Sequence, residues 1–254
     1  MRFSKWHALG NSYLVVQQPD AGPLTAERVR RLCDADTGVG SDGIVEVIDV
    51  RDTSAAVRIW NPDGSEAEMS GNGVRIAARW LADETGTDEV TVCVGPREIA
   101  ARMLERGVVR ITLGPVAVAA PESLDVEGGL ELTRASVGNP HAVVRLDAAT
   151  REDLLRLGPA IESHRRFPER TNVQLVRVDG GDTLTVLVWE RGAGETAASG
   201  SSAVAAAAVA VERGWVTSPV SVHLPGGDLE VEIGEGGARL TGPVERICTG
   251  ESAL

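Results

Sequence analysis

The 254-residue chain is predicted to fold as an α+β protein built from two similar domains. Two observations favour this fold class. Short runs rich in Val and Ile, bounded by Gly, Pro and Asp, outnumber the segments with helical spacing, which is typical of mixed sheets with a few helices. The second observation is an internal repeat, in which the same motifs return in the same order about half a chain later. The repeat predicts that the chain divides into two.

The individual elements follow from local patterns of hydrophobic residues and turn formers. Thr25 is placed to cap a helix, and Gly86 and Gly214 stand where glycine commonly ends one. Strands are predicted at 13–17, 44–50, 90–94, 108–113, 142–146, 173–178 and 184–189, and helices at 25–33, 73–84, 148–157 and 201–213. A stretch rich in Gly, Pro and acidic residues at 114–129 is predicted to be a linker. The predicted domains are therefore residues 1–118 and 119–254, with a return of the last few residues to the first domain left open.

The repeat rests on matched motifs at matched spacing. Each half opens with Gly-Asn before β-type residues, at Asn11 and Asn139, and later has Ser-Gly at the start of a small apolar helix, at Ser70 and Ser199. The two spacings, from 11 to 70 and from 139 to 199, differ by one residue. An apolar-Trp-polar motif precedes both serines at equal distances. These coincidences predict two domains related by a pseudo-twofold axis.

A serine at the start of a helix can be only a cap, and for a single serine that is the usual role. Here two such serines occupy the same place in a repeat, and the glycine-rich residues that follow them leave the backbone open to a ligand. Helix N-termini attract anions through unpaired N–H groups and the helix dipole. If both helices start at one cleft, a carboxylate could be held between them with one serine on each face of the adjacent carbon. That arrangement suits proton removal on one face and return on the other.

Six ordered blocks of the sequence resemble the signature blocks of the diaminopimelate epimerase family. The blocks are HALGNSYLVV, CDADTGVGSDGIV, IWNPDGSEAEMSGNGVRIAARWL, SVGNPHAVV, ERTNVQLV and WERGAGETAASGSSA, and they run from about residue 3 to residue 214. The resemblance implies two pseudosymmetric domains, each a mixed or antiparallel sheet wrapped around a central helix, with the active-site cleft between them. It also implies an isomerase that needs no cofactor and interconverts LL- and meso-2,6-diaminopimelate, a precursor of lysine and peptidoglycan.

The resemblance assigns roles to particular residues. The implied catalytic residues are Ser70, Ser199, His141 and Glu190. The implied substrate-binding residues are Asn11, Asn61, Gly71, Asn72, Asn139, Asn172, Glu190, Arg191, Gly200 and Ser201. Among these, Gly71, Asn72, Gly200 and Ser201 would hold the reacting carboxylate through their backbone amides.

The sequence also departs from the family pattern at the reacting centre. The two catalytic cysteines of the family fall where this chain has Ser70 and Ser199, and Ser12, Gln174 and the Ser201-Ser202 pair also differ. A serine hydroxyl is a far weaker acid than a thiol and needs a neighbouring base. Four hypotheses therefore stay open: a natural serine variant of the epimerase, a related isomerase or lyase acting on another amino acid, a cysteine-to-serine double mutant, and a binding protein without catalysis.

Composition excludes several other classes of protein. The net charge of −12 argues against nucleic acid as a partner, and the longest clean apolar run, 203–211, is far shorter than the roughly 18 residues of a membrane span. The start lacks the apolar core of a signal peptide, and three scattered cysteines fit free thiols in a cytoplasmic protein. Histidines and cysteines lack metal-ligand spacing, so no metal site is predicted. The glycine pattern at 38–43 follows a helix rather than a strand, against a Rossmann site. A small amino acid is the expected partner, and a homodimer is the expected assembly.

Overall fold

A computed structural model of the chain describes residues 1–254, apart from the side chain of Arg106. The chain divides into two compact units, one formed by Met1–Thr112 with Thr241–Leu254 and the other by Leu113–Leu240. Each unit combines a mixed sheet with a few helices, which confirms the predicted α+β class. The predicted boundary after residue 118 lies six residues beyond the end of the first segment, Thr112.

The first unit contains a mixed sheet and a central helix. Its strands are β1 (Arg2–Ala8), β2 (Asn11–Gln17), β3 (Ile44–Arg51), β4 (Ser54–Trp60), β5 (Glu89–Val94), β6 (Arg97–Met103), β7 (Val108–Gly114) and β17 (Glu245–Glu251). Its helices are α1 (Gln18–Ala21), α2 (Ala26–Cys33) and α3 (Gly71–Thr85), with a 3-10 turn at Glu105–Gly107. The strands pair in the order β17-β1-β2-β3-β4-β5-β6-β7, with β2–β3 and β4–β5 parallel and the other pairs antiparallel.

The second unit has the same plan. Its strands are β8 (Ala117–Leu124), β9 (Leu130–Ser136), β10 (Pro140–Arg145), β11 (Asn172–Gly180), β12 (Thr183–Glu190), β13 (Gly194–Thr196), β14 (Val220–Leu224), β15 (Gly227–Gly234) and β16 (Gly237–Pro243). Its helices are α4 (Arg151–Glu162) and α5 (Gly200–Glu212). The strands pair in the order β8-β9-β10-β11-β12-β14-β15, with β10–β11 and β12–β14 parallel and the other pairs of this series antiparallel.

The two units share strand register as well as strand order. In the first unit Leu14 lies beside Ile44, which lies beside Trp60. In the second, Ala142 lies beside Val173, which lies beside Trp189. Leu14 and Ala142 each follow the repeat asparagine by three residues, so the spacing found in the sequence corresponds to equivalent places in the two sheets.

One helix lies at the centre of each unit. Helix α3 contacts β1 through β6, and α5 contacts strands from β8 to β15. Residues Gly200 to Ala210 of α5 are all buried, as expected of a helix that is apolar on every side. Small Ala and Val side chains let the surrounding strands approach the helix axis closely. This packing fixes where each central helix begins, and each begins at a repeat serine.

Helix boundaries follow the local capping residues. Thr25 accepts a hydrogen bond from the Arg28 amide (3.3 Å), and Gly86 ends α3 in the left-handed region (φ 71°), as predicted. Helix α4 begins later than predicted, after Thr150, because Thr150 and Asp153 form a reciprocal capping box.

The predicted linker at 114–129 was wrong in part, because strand β8 occupies Ala117–Leu124 and pairs with β9. The Gly, Pro and acidic residues in and around β8 are typical of a linker rather than of a strand. Pro121 falls at an irregularity in the pairing, where a strand tolerates proline because no ladder hydrogen bond is lost. The glycine-rich turn proper is confined to the residues between β8 and β9.

Candidate active site

The start of α3 forms the first part of the candidate site. Ser70 has extended backbone angles, and its Oγ accepts a hydrogen bond from the Gly73 amide at 3.0 Å. The next two residues, Gly71 and Asn72, are buried in the first turn of the helix. First-turn amides have no partner within the helix itself, which is why anions bind at helix starts.

A chain of polar side chains supports this helix start from within the unit. Asn72 Nδ2 donates to Asn11 Oδ1 (3.1 Å), and Arg75 Nη2 donates to Asn72 Oδ1 (2.9 Å). Arg75 is fully buried, and burial lowers the pKa of its guanidinium to about 10. Within the described residues, its Nε and Nη1 atoms have no hydrogen-bond partner. A buried cation of this kind adds positive potential near the first turn of α3.

Asn61, a predicted substrate-binding residue, lies in the turn after β4. Its Nδ2 donates to Ser65 Oγ at 3.0 Å, and its backbone amide donates to the Ser65 carbonyl at 2.8 Å. The side-chain amide is therefore engaged within its own turn.

The start of α5 is the equivalent helix start in the other unit. Ser199 has φ −140° and ψ 119°, almost the same as Ser70 with φ −139° and ψ 111°. Unlike Ser70, Ser199 makes no side-chain cap hydrogen bond. Its side chain is buried, as are Gly200 and Ser201.

A buried polar network lies beside this second helix start. His141 Nε2 is 2.9 Å from Asn139 Oδ1, and His141 Nδ1 is 3.0 Å from Gln174 Nε2. Gln174 Nε2 also donates to Ser202 Oγ at 3.0 Å. Gln174 and Ser202, two of the departures from the family pattern, are thus direct partners in one buried site. Both ring nitrogens of His141 thus face side-chain amides, and which nitrogen carries the proton depends on the ring tautomer.

The ends of β11 and β12 bring further predicted residues into the second unit's cluster. Asn172 lies beside His141 in the parallel pairing, and its Nδ2 donates to the Pro140 carbonyl at 2.9 Å. Its Oδ1 accepts from the Arg191 amide at 3.0 Å. Glu190, the last residue of β12, is half-buried. A single cluster therefore contains Asn139, His141, Asn172 and Arg191.

His141 is held as a neutral ring. It is almost fully buried, and this burial, together with the nearby positive charge of Arg191, lowers the pKa of His141 to about 3, while the Gln174 hydrogen bond opposes the shift. Both ring nitrogens are occupied by side chains. The geometry suits orientation of Asn139, and a role for His141 in proton transfer stays a prediction.

The neutral state of His141 predicts how stability depends on pH. An unfolded histidine takes up a proton near pH 6.5, whereas folded His141 does so only near 3. Between these values the unfolded chain binds more protons, so the free energy of unfolding should fall as pH falls below about 6.5. We expect His141→Gln to make the free energy of unfolding depend less steeply on pH, by the contribution of one proton taken up on unfolding. Urea unfolding between about pH 6.5 and about pH 4 measures this slope. Parallel slopes for the two proteins would contradict the assignment.

Sequence reasoning missed two residues at the first helix start. Arg75 could have been noticed as a charge within an otherwise apolar helical run, VRIAARWLA. Tyr13, whose Oη lies 3.1 Å from Ser70 Oγ, occupies the same place in the repeat as His141, two residues after the asparagine. Its position in the repeat was therefore available as a signal.

Comparison with known proteins agrees with the fold. The model of the family described as "Diaminopimelate epimerase" matches residues 3–118 and 133–247. A diaminopimelate epimerase of Stutzerimonas stutzeri is 38% identical over 274 residues, covering 100% of this chain and 99% of the relative. A diaminopimelate epimerase of Ectopseudomonas mendocina is 39% identical, with the same coverage. Among solved structures, a predicted epimerase of Pseudomonas aeruginosa superposes with a TM-score of 0.78 at 20% identity, covering 100% of this chain and 99% of that one.

The family match and the curated relatives show that the chain is an isomerase, an epimerase by class. Since the family model spans both units, the chain belongs to the diaminopimelate epimerase family. In the described part of the chain, no helix is both long and apolar enough to cross a bilayer. No group of three or more His, Cys, Asp or Glu among the described residues is arranged to hold a metal ion.

Proposed function

We propose that the chain interconverts LL- and meso-2,6-diaminopimelate by removing the α-proton on one face and returning a proton on the other. The observation that carries this proposal is the equivalence of the two helix starts. Each unit sets a serine before a buried central helix, with nearly identical backbone angles and identical strand register. Membership of the diaminopimelate epimerase family supports the choice of substrate.

In this proposal the two domains face one cleft, and the substrate's α-carboxylate binds the first-turn amides of both central helices. Gly71 and Asn72 would donate from one side, and Gly200 and Ser201 from the other. Donors aimed at the carboxylate stabilise the negative charge that spreads onto it when the α-proton leaves. Ser70 and Ser199 would then stand on opposite faces of the α-carbon, which is what inversion needs.

The remaining predicted residues would recognise the substrate's far end and its α-amino group. Asn11, Asn61, Asn139 and Asn172 offer amide groups, while Glu190 and Arg191 offer one charge of each sign for the ammonium and carboxylate groups of an amino acid. We extend the proposal to a cytoplasmic enzyme that works without a cofactor and assembles as a homodimer.

The test is hydrogen exchange at the α-carbon. The purified chain is incubated with LL- or meso-diaminopimelate in heavy water, and deuterium and stereochemistry at the α-carbon are followed. We expect deuterium to enter together with inversion. Tight binding of either isomer without any α-deuteration would replace the proposed enzyme by a binding protein.

Arg75 gives this proposal a second measurable consequence. If the buried guanidinium serves the bound carboxylate through Asn72, Arg75→Met should weaken diaminopimelate binding about tenfold or more, as loss of a charge-assisted contact does. Removing a buried cation that lacks a carboxylate partner should leave the free energy of unfolding of the ligand-free protein unchanged or raised. Calorimetric titration and urea unfolding measure the two effects. Lower stability with unchanged affinity would assign Arg75 a purely structural role.

A further inference from the structure

Tyr13 is the side chain that joins Ser70 from the neighbouring strand. Its Oη lies 3.1 Å from Ser70 Oγ, and either atom can donate the hydrogen. Ser70 Oγ already accepts the Gly73 amide, so its own hydroxyl proton remains available for donation. Tyr13 is only 5% exposed, so water competes little for this contact. The pair is a shielded phenol–hydroxyl couple at the predicted reacting centre.

The backbone around Tyr13 is adapted to hold its ring in this position. Gly43 directly precedes Ile44, which pairs with Leu14, and a Cβ on Gly43 would stand 2.5 Å from Tyr13 Cε1. The equivalent pairing in the second unit sets Asn172 beside His141. The first unit therefore has a glycine where the second unit has Asn172. The space left by the missing side chain holds the Tyr13 ring, whose hydroxyl reaches the start of α3.

We propose that Tyr13 is a positioning residue that exchanges protons with Ser70, an inference that rests on the proposed epimerase function. A serine hydroxyl alone is a poor base and a poor acid near neutral pH. The ordinary pKa of a phenol, near 10, is much closer to neutral pH than that of a serine hydroxyl. A phenol can therefore accept a proton from Ser70 or donate one to it.

Every proton moved between the substrate, Ser70 and Tyr13 can be accounted for. In the direction in which Ser70 acts as base, Tyr13 first gives its proton to solvent before the substrate binds. The α-C–H bond then breaks and its proton bonds to Ser70 Oγ, while the hydroxyl proton of Ser70 passes to the Tyr13 phenolate. The electron pair of the broken bond stays on the substrate, beside the carboxylate. In the opposite direction Ser70 protonates the α-carbon and the Tyr13 phenol reprotonates Ser70. Between turnovers Tyr13 exchanges its proton with solvent.

A double-mutant cycle separates this role from simple packing. Tyr13→Phe removes only the hydroxyl, and Ser70→Cys supplies a group that ionises near pH 8.5 without help from a phenol. When Ser70 is present, we expect Tyr13→Phe to lower kcat for LL-diaminopimelate about 30-fold or more. In the Ser70→Cys background the same change should cost about threefold or less. KM should stay within about twofold throughout, because the substrate contacts are unchanged.

The outcomes distinguish the inference from the function on which it rests. Equal losses of kcat in the two backgrounds would assign Tyr13 to packing and overturn the inference. So would an unchanged kcat for Tyr13→Phe in a chain that inverts diaminopimelate, and in that case the proposed function stands. A wild-type chain that neither inverts nor deuterates either isomer would overturn both. Thermal unfolding of each variant confirms that the compared proteins are folded.

Discussion

Alanine at either repeat serine, Ser70→Ala or Ser199→Ala, is expected to lower kcat for diaminopimelate inversion by about 10³-fold. Inversion needs a proton acceptor on one face and a donor on the other, so losing either hydroxyl stops the exchange in both directions. Binding should persist, because the proposed carboxylate donors are backbone amides. Steady-state kinetics and calorimetric titration measure the two effects.

Stability distinguishes loss of chemistry from loss of a helix cap. Ser70 Oγ accepts the Gly73 amide, so Ser70→Ala should cost about 1 kcal/mol of unfolding free energy. Ser199 makes no side-chain cap bond, and Ser199→Ala should cost much less. Similar losses of activity with these different stabilities would assign both serines to the reaction. Ser163→Ala, at the end of α4, is the matched control and should leave activity intact. Full activity in either site variant would exclude that serine from proton transfer.

The sequence predicted the repeat well because local physics fixes its main parts. A serine followed by glycine before an apolar segment is typical of a helix start, and both central helices begin at their serines, although only Ser70 makes a side-chain cap bond. Runs of β-type residues predicted seven of the seventeen strands, namely β2, β3, β5, β7, β10, β11 and β12. Strand β8 was missed because Pro121 and acidic residues gave it the composition of a linker, and its pairing with β9 is not a local property.

The side-chain clusters of the candidate site were harder to predict, since they depend on register between strands far apart in sequence. Tyr13 meets Ser70 across 57 positions, and Gln174 meets Ser202 across 28. Gln174 and Ser202 were each noticed as departures from the family pattern. Only the fold shows that they are one hydrogen-bonded pair beside His141. The contact of Arg75 with Asn72 could not be predicted, because helical spacing does not show which partner a buried charge has.

Restoring thiols at both serines is expected to raise kcat for diaminopimelate by about 10²-fold, since general acid–base catalysis improves as the pKa of the group approaches neutrality. The ordinary thiol pKa is near 8.5, and the start of a helix favours the thiolate further. In the Ser70→Cys, Ser199→Cys double variant both faces gain such a group. Each single variant should help mainly the direction in which that residue removes the proton.

Alkylation provides a second readout of the restored thiols. Burial raises the pKa of Cys33 and of Cys93, which disfavours their reactive thiolates, while Cys248 is exposed and serves as an internal reference. The double variant should therefore gain two fast-reacting thiols that diaminopimelate protects. Ser163→Cys controls for the mere addition of a thiol. If the double variant binds diaminopimelate, alkylates quickly at both positions and still does not invert it, the acid–base pair is not what limits this chain. The geometry around the α-carbon must then have diverged along with the two serines, because a thiolate and a thiol on opposite faces of a bound substrate fail only when they are misplaced.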